Sequence, residues 1–249
     1  MKDVNSNIAY EYLRKRIVNG EYPPGRPLMT KELAADLGIS RTPVRDALRQ
    51  LETNGLVIIR PRLGASVKMM NLKEYRDLCG LRLALESYAA GFAAQNRTEP
   101  ELREIQFALE SMRGLTEQII ETDDEESVLR DLIREDVRFH IAVMSAAKNE
   151  LIKKEILRLH VVNRVVAGPV PGEEGIPKTR EERNERRRKV MLSHDEIYQA
   201  LERGDAAAAK LAMERHIQDI MDNNLALMSG ADRRLGARDL TDEELCYTA

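Results

Sequence analysis

Residues 28–51 read Leu28-Met29-Thr30-Lys31-Glu32-Leu33-Ala34-Ala35-Asp36-Leu37-Gly38-Ile39-Ser40-Arg41-Thr42-Pro43-Val44-Arg45-Asp46-Ala47-Leu48-Arg49-Gln50-Leu51. The pattern predicts a short helix, a tight turn at Gly38 and a second helix opening at Ser40. Arg41, Arg45 and Arg49 fall four residues apart, so they share one face of that second helix. Val44, Leu48 and Leu51 form an apolar stripe on the opposite face. A helix with one apolar face and one arginine face, packed on a short partner, has the geometry of a helix-turn-helix entering the DNA major groove. The expected activity is therefore sequence-specific DNA binding.

The flanks extend this reading. Ile8 to Val18 sets Ile8, Tyr12, Leu13 and Ile17 against Arg14, Lys15 and Arg16, an amphipathic helix that Asn19-Gly20 stops. Tyr22-Pro23-Pro24-Gly25 forces a turn, because neither proline nor glycine continues a helix well. Thr30 is expected to cap the short helix and Ser40 the longer one. Pro43 is tolerated in a first turn, whose amides have no intrahelical partner. Leu56 to Arg60, Pro61-Arg62-Leu63-Gly64 and Ala65 to Lys68 then read as strand, turn, strand, with basic residues at the tip. Such a hairpin is the wing of a winged helix and can reach the adjacent minor groove.

Charge divides along the same line. Residues 1–70 hold 12 Lys and Arg against 7 Asp and Glu, or +5, which leaves −8 on the remainder of a chain whose net charge is −3. An anionic partner is thus expected for the first part alone. The 249 residues are 43% hydrophobic and 33% charged, which suits a soluble, helix-rich protein of one large or two smaller domains. No apolar run is long enough to span a bilayer, and the first residues have no signal-peptide character. Cys79 and Cys246 alone do not make a disulfide framework, so a reducing cytoplasm is expected.

From Asn71 to about Ser229 helical periods recur without strand alternation. Breaks fall at Arg97-Thr98-Glu99-Pro100, around Thr122-Asp123-Asp124, at Ala147-Lys148-Asn149, from Gly168 to Pro177 and at Gly204-Asp205. That predicts about six helices, a bundle able to enclose a cavity. In the helix from about Asp124 to Ala146 the inward stripe is Leu129, Leu132, Ile133, Asp136, His140, Val143 and Met144. Two polar residues interrupt it one turn apart, and burying them without partners would cost several kcal/mol. The interruption recurs at His194, in the stripe Val190, His194, Ile197 and Leu201. It recurs again at His216, among Ala209, Ala212, Met213 and Ile220. Three of the four histidines thus face inward on three helices. One aspartate and three histidines suit Zn²⁺, Ni²⁺ or another divalent transition ion, although any single one alone reads as a packed histidine. His160 lies outside this pattern. The charge run Lys178 to Lys189 reads as a solvated helix face, Gly168 to Pro177 as a loop and 230–249 as a polar tail.

These elements together resemble two domains of one regulator class. Residues 8–70, with P-G-x-x-L, E-L-A-x-x-L-G-x-S-R-T-P-V-R-x-A-L-x-x-L and G-L-V … G-A-x-V, resemble the winged helix of GntR-family bacterial transcription regulators. That resemblance assigns Arg41, Thr42 and Arg45 to bases and phosphates, with Arg49, Lys31 and Gly64 in support. Asp136-Val137-Arg138-Phe139-His140, Asn149, His194-Asp195-Glu196-Ile197, Gly204-Asp205 and His216-Ile217 resemble the FCD ligand-binding domain of the FadR branch. The resemblance implies a metal on Asp136, His140, His194 and His216, zinc first, with nickel or manganese as alternatives. It also implies a small carboxylate effector at the ion, held at its far end by an arginine. Arg82, in the R-x-x-x-E helix that opens the domain, is the first candidate, against an ion pair with Glu86. Asn163 is the second, with Arg164 behind it.

The expected architecture is mostly α: a winged helix-turn-helix over 1–70, an all-α bundle over 71–229 and a tail over 230–249. The expected function is a cytoplasmic, effector-controlled repressor acting as a homodimer on a palindromic operator. Two alternatives fit the same residues. One is a metalloenzyme acting on a small acid. The other is a regulator whose metal is only structural or sensory.

Overall fold

The computed structural model describes residues 2–166 and 179–235. Their elements are α1 (Lys2–Val18), β1 (Pro27–Leu28), α2 (Thr30–Leu37), α3 (Arg41–Thr53), β2 (Val57–Arg60), β3 (Gly64–Val67), α4 (Leu72–Asn96), α5 (Glu99–Glu121), α6 (Glu125–Ala146), α7 (Glu150–Val166), α8 (Arg180–Arg203) and α9 (Ala206–Leu235). The mostly α class is as expected, with six helices described after residue 71. No described helix is long and apolar enough to cross a membrane. The chain forms two compact units, residues 1–74 with 154–169, and 75–153 with 170–249. Helix α7 belongs to both, a division that the sequence pattern does not reveal.

In the first unit α3 is the centre, packing on α1, α2 and β2. Val44, Leu48 and Leu51 are buried, as their stripe predicts, with Leu13 and Ile17 of α1 and Leu33 of α2. At about 1.5–3 kcal/mol for each fully buried aliphatic side chain, this stripe is what holds α3 in place. Gly38 ends α2 at φ 65°, and its amide turns back to the Ala34 and Ala35 carbonyls. That left-handed residue sets the tight turn between the helices. Thr30 is the first residue of α2 rather than its cap, and the capping position is Met29. Ser40 does cap α3 by position, but its hydroxyl makes no capping hydrogen bond. The wing pairs β2 with β3 antiparallel, Val57 opposite Val67 and Arg60 opposite Gly64. A third strand, β1, pairs Pro27 with Ser66 and Leu28 with Ala65. Two residues carry no period, so β1 was not legible in the sequence.

In the second unit α5 packs on α6 and α8, and α8 on α9. Ile105, Met112 and Ile119 of α5 meet a core shared with Phe139, Val143 and Met144 of α6, Ile197 of α8 and Met213 of α9. Thr98 with Glu101 starts α5, and Thr179 with Glu182 starts α8, each as a reciprocal capping box. The stripe predicted on α6 is divided. Val143 and Met144 are buried, whereas Leu129 and Ile133 stay exposed, at 38% and 42%. Helix α9 continues to Leu235, beyond the predicted end at Ser229. The predicted loop 168–177 and the part of the tail after 235 lie outside the described residues.

Candidate functional site

On α3, Arg41, Thr42, Arg45 and Arg49 are all exposed, because Val44, Ala47, Leu48 and Leu51 occupy the inner face. Arg49 comes no closer than 3.9 Å to Asp46, so no tight ion pair claims its guanidinium. Lys31 is exposed on α2. Gly64 opens β3 at φ 90°, a backbone conformation that side chains rarely adopt, with open space where a Cβ would stand. Arg62 and Leu63 are exposed in the turn before it. The first unit therefore presents one cationic helix face and one exposed hairpin, each on a packed scaffold.

In the second unit His140 (α6), His194 (α8) and His216 (α9) are buried to within 1%. Each offers a ring nitrogen, and the three nitrogens lie within 4.8 Å of one another. The far side of every ring is held. His194 Nδ1 lies 2.9 Å from the Val190 carbonyl, which can only accept, so that nitrogen carries the proton. Ser193 donates its hydroxyl proton to the same carbonyl at 2.7 Å and so accepts from His216 Nδ1 at 2.8 Å. His140 Nδ1 faces the buried Glu86 carboxylate at 2.9 Å, which favours a proton there as well. These tautomers follow from the hydrogen-bond network. They leave all three Nε2 atoms as lone pairs turned toward one place.

A metal ion fits that arrangement. His140 Nε2 and His216 Nε2 stand 3.2 Å apart, less than two zinc–nitrogen bonds of about 2.1 Å. Two facing lone pairs at that distance repel unless a cation sits beside them. Asp136 Oδ1 lies 3.2 Å from His194 Nε2 and completes the donor set. Burial pushes the Asp136 carboxyl up, but positive charge at this place, such as a protonated His194 supplies, outweighs it and holds the group well below the usual carboxylate range. Burial, with the neighbouring His194 and His140, pushes His216 well below an ordinary histidine. An anionic aspartate and a neutral imidazole are the forms that bind metal. Asp136 also corrects the expectation of an inward-buried residue, since 34% of its side chain is open.

That opening is a cavity of about 420 Å³, within the range of small-molecule sites. Leu129, Ile133 and Met112 form much of its wall. This is why the first turns of α6 carry apolar residues that are not buried. Arg183, Arg186 and Arg187 of α8 also line it. They belong to the run read from sequence as a solvated face, and the structure corrects that reading. Glu125 of α6 takes Arg183 at 3.0 Å and Arg187 at 2.7 Å, turning this side of α8 inward. A charge run discloses neither its neighbour nor its direction, and only the spacing of these three arginines hinted at a common face. Arg82 is elsewhere. It is buried, and its Nε donates to Glu86 Oε1 at 2.7 Å, so it stands behind His140 rather than among the described residues of the cavity wall. Asn163 and Arg164 are on α7, and their side chains lie outside the described ones.

The model of the FCD domain matches residues 77–219, and that of the bacterial regulatory proteins of the gntR family matches residues 5–67. The chain belongs to the GntR family. This GntR-family protein is 29% identical over 220 residues to the HTH-type transcriptional repressor RspR of Escherichia coli K12, with 88% of each chain covered. It is 30% identical over 226 residues to the HTH-type transcriptional regulator LutR of Bacillus subtilis, covering 83% of this chain and 94% of that one. Among solved structures it resembles E. coli McbR/YncC, with TM-score 0.63, 22% identity and coverage of 88% and 95%, a likeness of fold. The GntR-family protein is a transcriptional regulator and not an enzyme, as its family and relatives are, so the metalloenzyme alternative is set aside.

Proposed function

We propose that this regulator is a cytoplasmic repressor that binds a palindromic operator as a homodimer and is controlled by a small carboxylate taken into its helical unit beside a divalent transition ion. Arg41, Thr42 and Arg45 are the readers of the operator, with Arg49, Lys31 and the wing at Gly64 in support. An arginine is the best bidentate partner for guanine in the major groove. Asp136, His140, His194 and His216 hold the ion, zinc in the first instance. The observation that carries this reading is the set of three buried imidazoles with Nδ1 engaged and Nε2 convergent, since second partners of this kind accompany metal-bound histidines. Leu81, Tyr88 and Phe92, exposed along one face of α4, support a homodimer.

Elemental analysis of untagged protein tests the ion. About one transition ion per chain is expected, and none in a variant carrying both His140→Ala and His194→Ala. Operator binding tests the first unit. Arg45→Ala is expected to abolish specific binding and keep the metal content. Loss of both together would contradict the separation of roles.

A further inference from the structure

The wing ends in a strained turn. Pro61, Arg62 and Leu63 join Arg60 to Gly64, which face each other across β2 and β3. The Leu63 amide donates to the Arg60 carbonyl at 3.2 Å, closing a four-residue turn with Pro61 second and Arg62 third. Arg62 stands at φ 66°, left-handed backbone. A proline second and a positive φ third mark a type II turn, whose third place glycine fills without strain. Here an arginine fills it, so the side chain is kept against its backbone preference. Arg60 to Gly64 are all exposed, and Leu63 keeps 64% of its surface open. Among the described residues no carboxylate pairs with Arg60 or Arg62. The strand β2 that carries this tip packs on α3, the helix with the arginine face.

The two side chains at the tip share one chemical property. Arg62 has donors and no acceptor, and Leu63 has neither. In the minor groove of DNA an A·T pair shows only acceptors, whereas a G·C pair adds the guanine amino group, a donor. Beneath this tip an A·T pair meets donors, and A·T-rich tracts have a narrow groove that attracts arginine. A guanine amino group there would lose water and meet no side chain that accepts its proton.

We propose that the wing tip is a second base reader, with Arg62 and Leu63 over the minor groove requiring A·T pairs beneath them. This rests on the reading of the first unit as the operator-binding part of the regulator. It gives the operator a base preference outside the pairs that α3 meets, set by exclusion of guanine rather than by a bidentate contact. Gly64, with open space where a Cβ would stand, leaves the approach to the groove clear.

Duplexes are selected from a random DNA library with the full-length protein. In the recovered duplex each A·T pair is replaced in turn by G·C and by inosine·C, which has the major groove of G·C but no amino group in the minor groove. At the pairs beneath the wing, G·C is expected to weaken binding about tenfold and inosine·C less than about twofold. Leu63→Asn, whose amide oxygen can accept from guanine, is expected to remove most of the G·C penalty. Arg62→Gly, suited to the backbone of the turn, is expected to weaken binding of the A·T duplex severalfold while melting no lower than wild type. Equal penalties for G·C and inosine·C at every pair would overturn the minor-groove reading, as would G·C tolerated at every pair outside those that α3 meets. A G·C penalty unchanged in both variants would overturn the assignment to Arg62 and Leu63. A library that yields no enriched duplex would overturn the operator reading and this one together. Enrichment that Arg45→Ala abolishes keeps the operator reading, so a failure at the wing is then a failure of this proposal alone.

Discussion

Ser193 Oγ lies 2.8 Å from His216 Nδ1 while its own proton goes to the Val190 carbonyl at 2.7 Å. One hydroxyl one residue before His194 thus sets the tautomer of a histidine on another helix. Removing such a partner typically costs a metal site 10–100-fold in affinity. Ser193→Ala should therefore hold its ion about that much less tightly, read by competition with a fluorescent chelator, and remain folded. An unchanged affinity would mean that the serine does not orient the ring.

Arg82 and Glu86 form a buried pair on α4, with side chains 4% and 0% exposed, and Glu86 also meets His140. Breaking a buried pair strands the remaining charge, at a cost of about 3–5 kcal/mol. Arg82→Met should lower unfolding free energy by that order in urea titration. Adding Glu86→Gln should recover part of the loss. An Arg82→Met protein as stable as wild type would show that the pair is not under strain from burial.

Glu125 joins α6 to α8 through Arg183 and Arg187, whose hydrogen bonds hold its carboxyl down to about 2. A folded-state value below the ordinary 4.5 means that the stabilisation is present above that pH and is lost as pH falls toward 2. With all three side chains partly exposed, it amounts to about 1 kcal/mol. Melting temperatures of wild type and Glu125→Gln should differ most above pH 5 and converge on acidification. A constant gap would assign the effect to packing instead.

Tyr88 and Phe92 stack with ring centroids 4.6 Å apart while remaining 46% and 41% exposed. An aromatic pair left in water on a helix face suits the homodimer proposed above. Phe92→Glu is expected to shift the protein toward monomer in analytical ultracentrifugation and to weaken operator binding, because two half-sites would no longer be held together. A variant that sediments like wild type would direct the search to another face.

Helix-period arithmetic was enough to find α3 and the inward histidines, because a helix residue's face follows from its position in the turn. Val44 and Leu48 had to face in, so Arg41 and Arg45 had to face out. His140, His194 and His216 each sit where an apolar residue would otherwise close the core. Elements too short to show a period escaped, as β1 did. The α6 stripe reads as uniformly inward, because Leu129 lining a cavity and Leu129 filling a core look alike in sequence.

The sequence by itself determined the winged helix, the helical body and the candidate donors, because these depend on spacing along one chain. Only the tertiary structure decided what stands opposite each residue. Glu125 draws Arg183 and Arg187 inward from 58 and 62 residues away, and Glu86 claims Arg82. Ion pairing and burial are set by the neighbour across the interface, and no periodicity within a helix specifies that neighbour.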